Sequence, residues 1–121
     1  MKSTEVILND FFKDKDRKDY VTTNHKIEKI NPQKIIGITP TYKYPDILND
    51  RKTLRLKEKI EKFGGWDNDE FKARSLALIE LPTGNYIVDG GGNHRAVLSK
   101  ELGMTEITAF VRKLIPKEMI D

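Results

Sequence analysis

Apolar residues recur every three or four positions in the middle of the chain, which predicts a helix. Leu56, Ile60 and Phe63 follow this spacing, with lysines and glutamates between them, so we expect these three side chains to form its buried face. Asp50 is a residue type that commonly caps the start of a helix. The glycine pair at 64–65 is suited to end it.

The second half of the chain predicts two strands joined by a turn, followed by a helix and a last strand. Residues 75–81 are the most apolar segment, and a Pro-Thr-Gly-Asn turn separates them from the strand at 86–88, which is typical of a β-hairpin. Residues 96–102 show helical spacing, and Gly103 is placed to end that helix. The alternation at 107–111 then predicts a strand.

The first half of the chain is less regular. A short apolar pattern at 6–12 predicts a helix, and a charged stretch of mixed sign follows at 13–19. Residues 25–30 predict an irregular strand, the first of the sheet. Two prolines within 38–45 favour an extended connecting loop, and the polar segment 66–70 predicts another loop.

The predicted order of strand, helix, β-hairpin, helix and strand indicates an α+β fold, with a small mixed sheet and flanking helices. A length of 121 residues suits one hydrophobic core. We expect residues 1–20 to form an N-terminal helix and charged segment, and residues 21–121 to form the domain itself.

Composition narrows the classes of function. The chain has no cysteine, which excludes disulfides, thiolate metal sites and cysteine nucleophiles. Its net charge of +3, from 22 basic and 19 acidic side chains, fits a polyanionic partner and equally an ordinary solvated surface. The sequence has neither the roughly 20 apolar residues that cross a bilayer nor a secretory signal. We therefore expect a soluble, cytoplasmic protein without a membrane partner.

The best candidate for chemistry is the glycine run Gly90, Gly91 and Gly92 between a predicted strand and a predicted helix. Glycines let the backbone come close to a ligand, because no Cβ stands in the way. The first amides of the helix, beginning at Asn93, point outward at the positive end of the helix dipole and suit a phosphate. Arg95 adds a planar cation that can hold two phosphate oxygens. The spacing matches neither the dinucleotide fingerprint nor a Walker loop.

The same residues also have structural interpretations. The glycines can simply turn the chain, Asn93 can cap the helix, and Arg95 can pair with a carboxylate such as Asp89 or Glu101. His94, at the mouth of the turn, is placed to donate to a phosphate or to transfer a proton near neutral pH.

Asp89 precedes the glycines at the end of a strand, where its carboxylate can hold the Mg2+ ion that accompanies phosphates. It can equally cap the turn through its own side chain. His25 is expected to be structural. The two histidines and the scattered acids form no recognisable metal-ligand spacing.

The segment from Gly84 to Ala96, GNYIVDGGGNHRA, resembles the ParB/sulfiredoxin superfamily, as do the later segments 102–103 and 107–109. The shared signature is a strand, a glycine-containing turn, an arginine at the start of a helix, and a closing strand. The resemblance extends more loosely over residues 25–112. Residue by residue, it implies phosphate contact by Gly91, Gly92, His94 and Arg95.

The resemblance implies a nucleotide-binding domain that holds ATP or CTP, with phosphohydrolase or phosphotransferase activity and a Mg2+ ion. In that role Gly90 and Asn93 complete the phosphate-binding turn, and His94 and Asp89 are the candidate catalytic residues. Asn93 stands where sulfiredoxins carry their nucleophilic cysteine, so sulfinic acid reduction is not expected. No catalytic acid can be aligned in the N-terminal half.

Stand-alone members of the superfamily also occur in phages and as nuclease-like modules of secreted bacterial toxins. The resemblance therefore leaves a second function open, a nuclease or toxin effector domain that acts on nucleic acid and is delivered by secretion. An immunity protein would then be its partner. A third function is a non-catalytic binding module that keeps the fold without the chemistry.

Overall fold

Residues 1–120 are described by the structure, a computed structural model, and they form seven strands and four α-helices. The elements in chain order are β1 (Lys2–Ser3), α1 (Thr4–Phe11), β2 (Tyr20–Thr22), β3 (Lys26–Ile30), β4 (Ile35–Ile38), α2 (Arg51–Phe63), α3 (Glu70–Arg74), β5 (Ala77–Glu80), β6 (Tyr86–Val88), α4 (Asn93–Glu101) and β7 (Ile107–Pro116). The predicted α+β class, with one mixed sheet and flanking helices, is confirmed.

The strands form one sheet in the order β1, β4, β6, β5 and β7. Only the β5–β6 hairpin in this series is antiparallel, while the other neighbours run parallel. Strand β7 is long enough to pair antiparallel with β3 in its first half and with β2 in its second half. The register changes by one residue between Thr22, opposite Leu114, and Lys26, opposite Val111, so β2 and β3 form one edge strand interrupted by a bulge.

Alternation along the strands sends neighbouring side chains into two separate cores. Val88 and Val111 join the larger core, together with Ala96 and Val97 of α4, and α2 lies against α4. Ile87, on the opposite face of the sheet, joins a smaller core that α1 covers. The glycine turn emerges from β6 between these two layers and leads into α4.

Several local predictions are confirmed. The Asp50 side chain accepts a hydrogen bond from the Thr53 amide at 2.9 Å and so caps α2. Gly64 ends α2 in the left-handed conformation, with φ +80°. The β5–β6 hairpin, the helix α4 and its end at Gly103 also lie where the pattern places them.

Other predictions are wrong. Phe63 is 77% exposed, and the fully buried residue of α2 is Thr53, whose hydroxyl donates to the Ile47 carbonyl. Strand β3 is the third strand rather than the first, because β1 and β2 precede it. Strand β4 was not predicted, and it ends at Ile38, the first residue of the predicted loop at 38–45. Residue 70 of the predicted loop at 66–70 already begins helix α3.

The N-terminal residues take part in the sheet, since β1 pairs with β4 and α1 packs on the smaller core. The boundary predicted at residue 20 stays a prediction. Within residues 1–120, none of the helices has the length and apolar character needed to cross a bilayer.

Candidate functional site

The three glycines of the turn differ in backbone conformation and in how closely other atoms pack against them. Gly90 and Gly92 adopt left-handed conformations, with φ +91° and +97°. A Cβ on Gly92 would lie 2.6 Å from Leu76 Cα and 2.7 Å from the Ser75 carbonyl oxygen, so that position accepts only glycine. Gly90 and Gly91 are exposed. The turn is therefore fixed at Gly92 and open to ligand at the two glycines before it.

Hydrogen bonds of the Asn93 side chain connect the glycine turn to the loop that contains Thr39. Its side-chain oxygen accepts from the Thr39 amide at 2.9 Å, and its side-chain nitrogen donates to the Thr39 hydroxyl at 3.0 Å and to the Gly90 carbonyl at 3.1 Å. The interpretation of Asn93 as the helix cap is wrong, because Gly92 occupies the N-cap and no side chain of residues 1–120 caps the helix. The first amides of α4 therefore remain free to meet a ligand.

His94 is held by a carboxylate from the start of another helix. Its Nε2 lies 2.9 Å from Oδ2 of Asp50, and because an ionised carboxylate only accepts, Nε2 is the donor. The Tyr42 ring packs edge-on against the imidazole, with ring centroids 4.8 Å apart. The His94 side chain is only 16% exposed. This contact joins the start of α2 to the start of α4.

Asp50 is the acid that supports this pair. Burial alone would raise the pKa of Asp50, but hydrogen bonds from the Thr53 amide and from His94 outweigh it and hold the pKa below its usual value of 3.8. The carboxylate is therefore ionised at neutral pH and keeps its acceptor role toward the imidazole.

Arg95 is a buried cation, 9% exposed. Its Nη2 donates to the Asp67 carbonyl at 2.8 Å, and the guanidinium carbon lies 4.3 Å from the centroid of the Trp66 ring. Its Nε is buried and has no hydrogen-bond partner within residues 1–120. Among the described residues it forms no salt bridge, so the predicted pairing with Asp89 or Glu101 is wrong. Burial lowers the pKa of Arg95, an effect that the nearby acidic side chains of the 66–69 loop oppose.

A cavity of about 220 Å³ adjoins the Arg95 side chain. Its charged lining consists of Arg95, Lys59 and Lys72 against the single acid Asp67. The apolar part of the lining comes from α2, from Leu56, Ile60 and Phe63. Three cations against one carboxylate make this cavity suited to an anionic group.

Asp89 lies apart from the His94 cluster. Its carboxylate is 3.9 Å from Nη1 of Arg112, whose other terminal nitrogen donates to the Thr22 hydroxyl. Arg112 follows Val111 on β7, and Val111 belongs to the core on the α4 side, so Arg112 and Asp89 face the opposite side of the sheet. The structure brings His94 together with Asp50 and leaves Asp89 with Arg112.

Within residues 1–120, the acidic side chains are not grouped as ligands for a magnesium ion. Asp89 is paired with Arg112, and Asp50 is engaged by His94 and Thr53. Residues 1–120 hold no cluster of three or more histidine, aspartate or glutamate side chains placed for a metal ion. A Mg2+ ion stays a prediction, and it would have to arrive with the phosphates that supply most of its ligands.

Three contacts of the site were not predicted: Asp50 as the partner of His94, Thr39 as the partner of Asn93, and Trp66 against Arg95. The first two join residues 44 and 54 positions apart, for which spacing gives no signal. The single tryptophan of the chain, in a polar loop, was a usable signal, because so large a ring needs a surface to pack on. His25 stacks on Phe110, with ring centroids 4.5 Å apart, and its structural role stays a prediction.

No protein-family model, curated protein or solved structure matches the chain. A function therefore has to come from the geometry of the site and from the resemblance of residues 84–96. That geometry offers an open glycine turn, the first amides of α4, an arginine that is buried without a salt bridge in residues 1–120, and a histidine oriented by a carboxylate.

Proposed function

We propose that the protein is a ParB/sulfiredoxin-like domain that binds the phosphates of a nucleotide such as ATP or CTP at the start of α4. Arg95 carries the proposal, because its guanidinium is buried with an unpartnered Nε and without a salt bridge inside residues 1–120. A buried charge is unfavourable unless an opposite charge compensates it. Phosphate is an anion that the planar guanidinium holds well, through two parallel hydrogen bonds.

The glycine turn supports the same ligand. Gly90 and Gly91 are exposed and carry no side chain that would keep a phosphate away from the backbone. The free amides that begin α4 and the helix dipole favour negative charge at this point. Because Gly92 and Asn93 fix the turn before any ligand binds, little conformational entropy is lost on binding.

His94 is the residue that would add chemistry to binding. Asp50 fixes the ring through Nε2, which leaves Nδ1 to act on the ligand. In hydrolysis or transfer, a neutral Nδ1 takes the proton of the attacking water or hydroxyl as its oxygen forms a bond to the terminal phosphorus. The bond from phosphorus to the bridging oxygen breaks, and the nucleoside diphosphate leaves. Asp50 is a positioning residue in this scheme, comparable with the third member of a catalytic triad.

The test is a thermal-shift panel with ATP, ADP, CTP and GTP, with and without Mg2+. At a ligand concentration a hundred times the Kd, binding stabilises the folded state by about 2.7 kcal/mol, a rise in Tm of roughly 10 °C for a domain of this size. Arg95→Met should remove the rise at similar side-chain volume. Lys57→Met is the matched control, because Lys57 is exposed on α2 and does not line the cavity. No rise with any nucleotide in the native protein would refute the proposal.

One observation favours a second candidate, a nuclease or toxin effector domain. The His94–Asp50 pair lies beside two exposed cations of the first turn of α2, Arg51 and Lys52, an arrangement that also suits the backbone of a nucleic acid. This function predicts degradation of plasmid or RNA that is lost in His94→Gln, and toxicity that an immunity protein relieves. A non-catalytic module would show the thermal shift without releasing phosphate or cutting nucleic acid.

A further inference from the structure

Helix α2 carries its positive charges on one side. At about 100° per residue, five exposed cations fall within a sector of about 100°: Arg51, Lys52, Arg55, Lys59 and Lys62. The two acids of the helix, Glu58 and Glu61, lie outside this sector. We call these five cations the basic stripe. It is an uninterrupted row of positive charge on a protein whose overall charge is only +3.

An exposed aromatic ring borders the basic stripe. Phe63 lies about 40° from Lys59 in helical projection, at about 100° per residue. It is 77% exposed, and the Lys62 Nζ lies 5.8 Å from its ring centroid. A phenylalanine this exposed gains almost nothing from burial within the domain. It does offer a flat face to a partner, beside a row of cations that repels other positive surfaces.

We infer that the basic stripe and Phe63 form a binding surface for single-stranded nucleic acid. Cations that follow a phosphate backbone, with an aromatic side chain on which a base stacks, are the two elements of sequence-independent strand binding. A duplex keeps its bases stacked inside, so it offers Phe63 no free base face. This surface goes beyond the nucleotide site proposed at the start of α4.

The length of the stripe argues for a polymer rather than a mononucleotide. From Arg51 to Lys62 the helix rises by about 16 Å at 1.5 Å per residue, and the side chains point outward along its whole length. The phosphates of one nucleotide would meet only part of this row. An anionic membrane would call for a broad apolar face beside the cations, and Leu56 and Ile60 of α2 are half-buried in the domain instead.

One end of the basic stripe lies close to the proposed nucleotide site. It begins in the first turn of α2, next to Asp50, which holds His94 at the start of α4. A strand bound along the stripe would therefore end beside the contact between Asp50 and His94.

The experiment is a fluorescence-anisotropy titration of a labelled 15-nucleotide oligo(dT) at several salt concentrations. The stripe variant is Lys52→Gln, Arg55→Gln and Lys62→Gln, which leaves the cavity residue Lys59 in place. The control variant is Lys26→Gln, Lys113→Gln and Lys117→Gln, which removes the same charge from exposed positions on or beside β3 and β7. We expect the stripe variant to bind at least about tenfold more weakly, with a log–log salt slope lower by about 2, since each lost contact to a single strand contributes about 0.7.

The aromatic contribution has its own matched pair. Phe63→Ala should weaken binding about fivefold or more, the loss expected for one stacked base. Phe71→Ala should leave the affinity unchanged, because Phe71 is 79% exposed but lies on α3 and not on the helix that carries the stripe. Equal losses in the two alanine variants would contradict the role of Phe63.

The inference is overturned if the stripe and control variants lose affinity equally, if the oligo(dT)·oligo(dA) duplex binds as tightly as the single strand, or if poly-glutamate of equal charge competes as well as oligo(dT). Arg95→Met should keep its affinity for oligo(dT). A native protein that binds oligo(dT) through the stripe but shows no thermal shift with any nucleotide would refute the nucleotide site alone. The reverse result would refute the strand surface alone.

Discussion

Replacing Gly92 with alanine should destabilise the protein far more than the same change at Gly90. Both glycines have left-handed backbone conformations, so both substitutions introduce similar strain, about 1–2 kcal/mol for a residue with a Cβ. At Gly90 the added methyl meets no atom of residues 1–120 within 4 Å. At Gly92 it would lie 2.6 Å from Leu76 Cα and 2.7 Å from the Ser75 carbonyl oxygen, and backbone atoms cannot move aside as a flexible side chain can.

The clash adds the cost of overpacking, about 1–3 kcal/mol. Replacing a glycine also lowers the conformational entropy of the unfolded chain, which stabilises the folded state of either variant by about 0.4–1 kcal/mol. The net destabilisation is therefore about 1 kcal/mol for Gly90→Ala and about 3 kcal/mol for Gly92→Ala. Against a total stability of about 5–15 kcal/mol for a typical domain, the second loss is severe.

Urea unfolding at 25 °C, followed by far-UV circular dichroism, measures both variants against the native protein. With an m value of about 1.5 kcal/mol per molar, the midpoint should fall by about 2 M for Gly92→Ala and by less than about 1 M for Gly90→Ala. Equal shifts would refute the close packing of Gly92 against residues 75–76. The order of the two shifts matters more than their sizes.

Three further substitutions test the site. Asn93→Ala should cost about 3 kcal/mol in urea unfolding, because it leaves the Thr39 amide and the Gly90 carbonyl without their partner; a loss below about 1 kcal/mol would contradict this. Asp50→Asn keeps a helix cap but loses the ionised acceptor of His94. The pKa of Asp50 is lower in the folded protein than its unfolded value of about 3.8. The ionised carboxylate therefore stabilises the folded protein above pH 3.8, and this stabilisation is lost as the pH falls through the folded pKa. The gap in unfolding free energy between native protein and Asp50→Asn should therefore narrow as the pH falls below about 3.8 toward the folded pKa, and a gap that widens over that range would contradict the assignment. Gly91→Ala has an ordinary contact at 3.7 Å and no left-handed backbone, so its stability should stay within about 1 kcal/mol of native while nucleotide affinity falls; unchanged affinity would argue against close phosphate approach there.

Much of the fold could be predicted because the signals are local. The β5–β6 hairpin follows from apolar segments around a Pro-Thr-Gly-Asn turn, and α2 from its spacing, its Asp50 cap and its terminal glycines. The prediction failed for elements whose structure depends on tertiary packing. Strand β4 is short and reaches the sheet by pairing with β1 and β6, which no local pattern reveals.

The site was predicted in its residue types and only partly in its contacts. The glycine turn and its position before α4 follow from the sequence, since strand, glycines and helix are consecutive. The partners do not, because Asp50 reaches His94, Thr39 reaches Asn93, and Trp66 covers Arg95 across the folded chain. Phe63 shows the converse: its helical spacing is that of a buried residue, yet it lines an open cavity at the end of α2 and is 77% exposed.

Arg95→Met offers the most direct test of phosphate binding, measured as thermal stability with and without a saturating nucleotide. Methionine fills a similar space without the buried charge, and such replacements are often neutral or stabilising. We predict that Arg95→Met unfolds at or above the Tm of the native protein without ligand, and that nucleotide raises the Tm of the native protein alone. A clear loss of stability in the unliganded variant would indicate a structural role for Arg95. A nucleotide-induced rise as large in Arg95→Met as in the native protein would contradict the account.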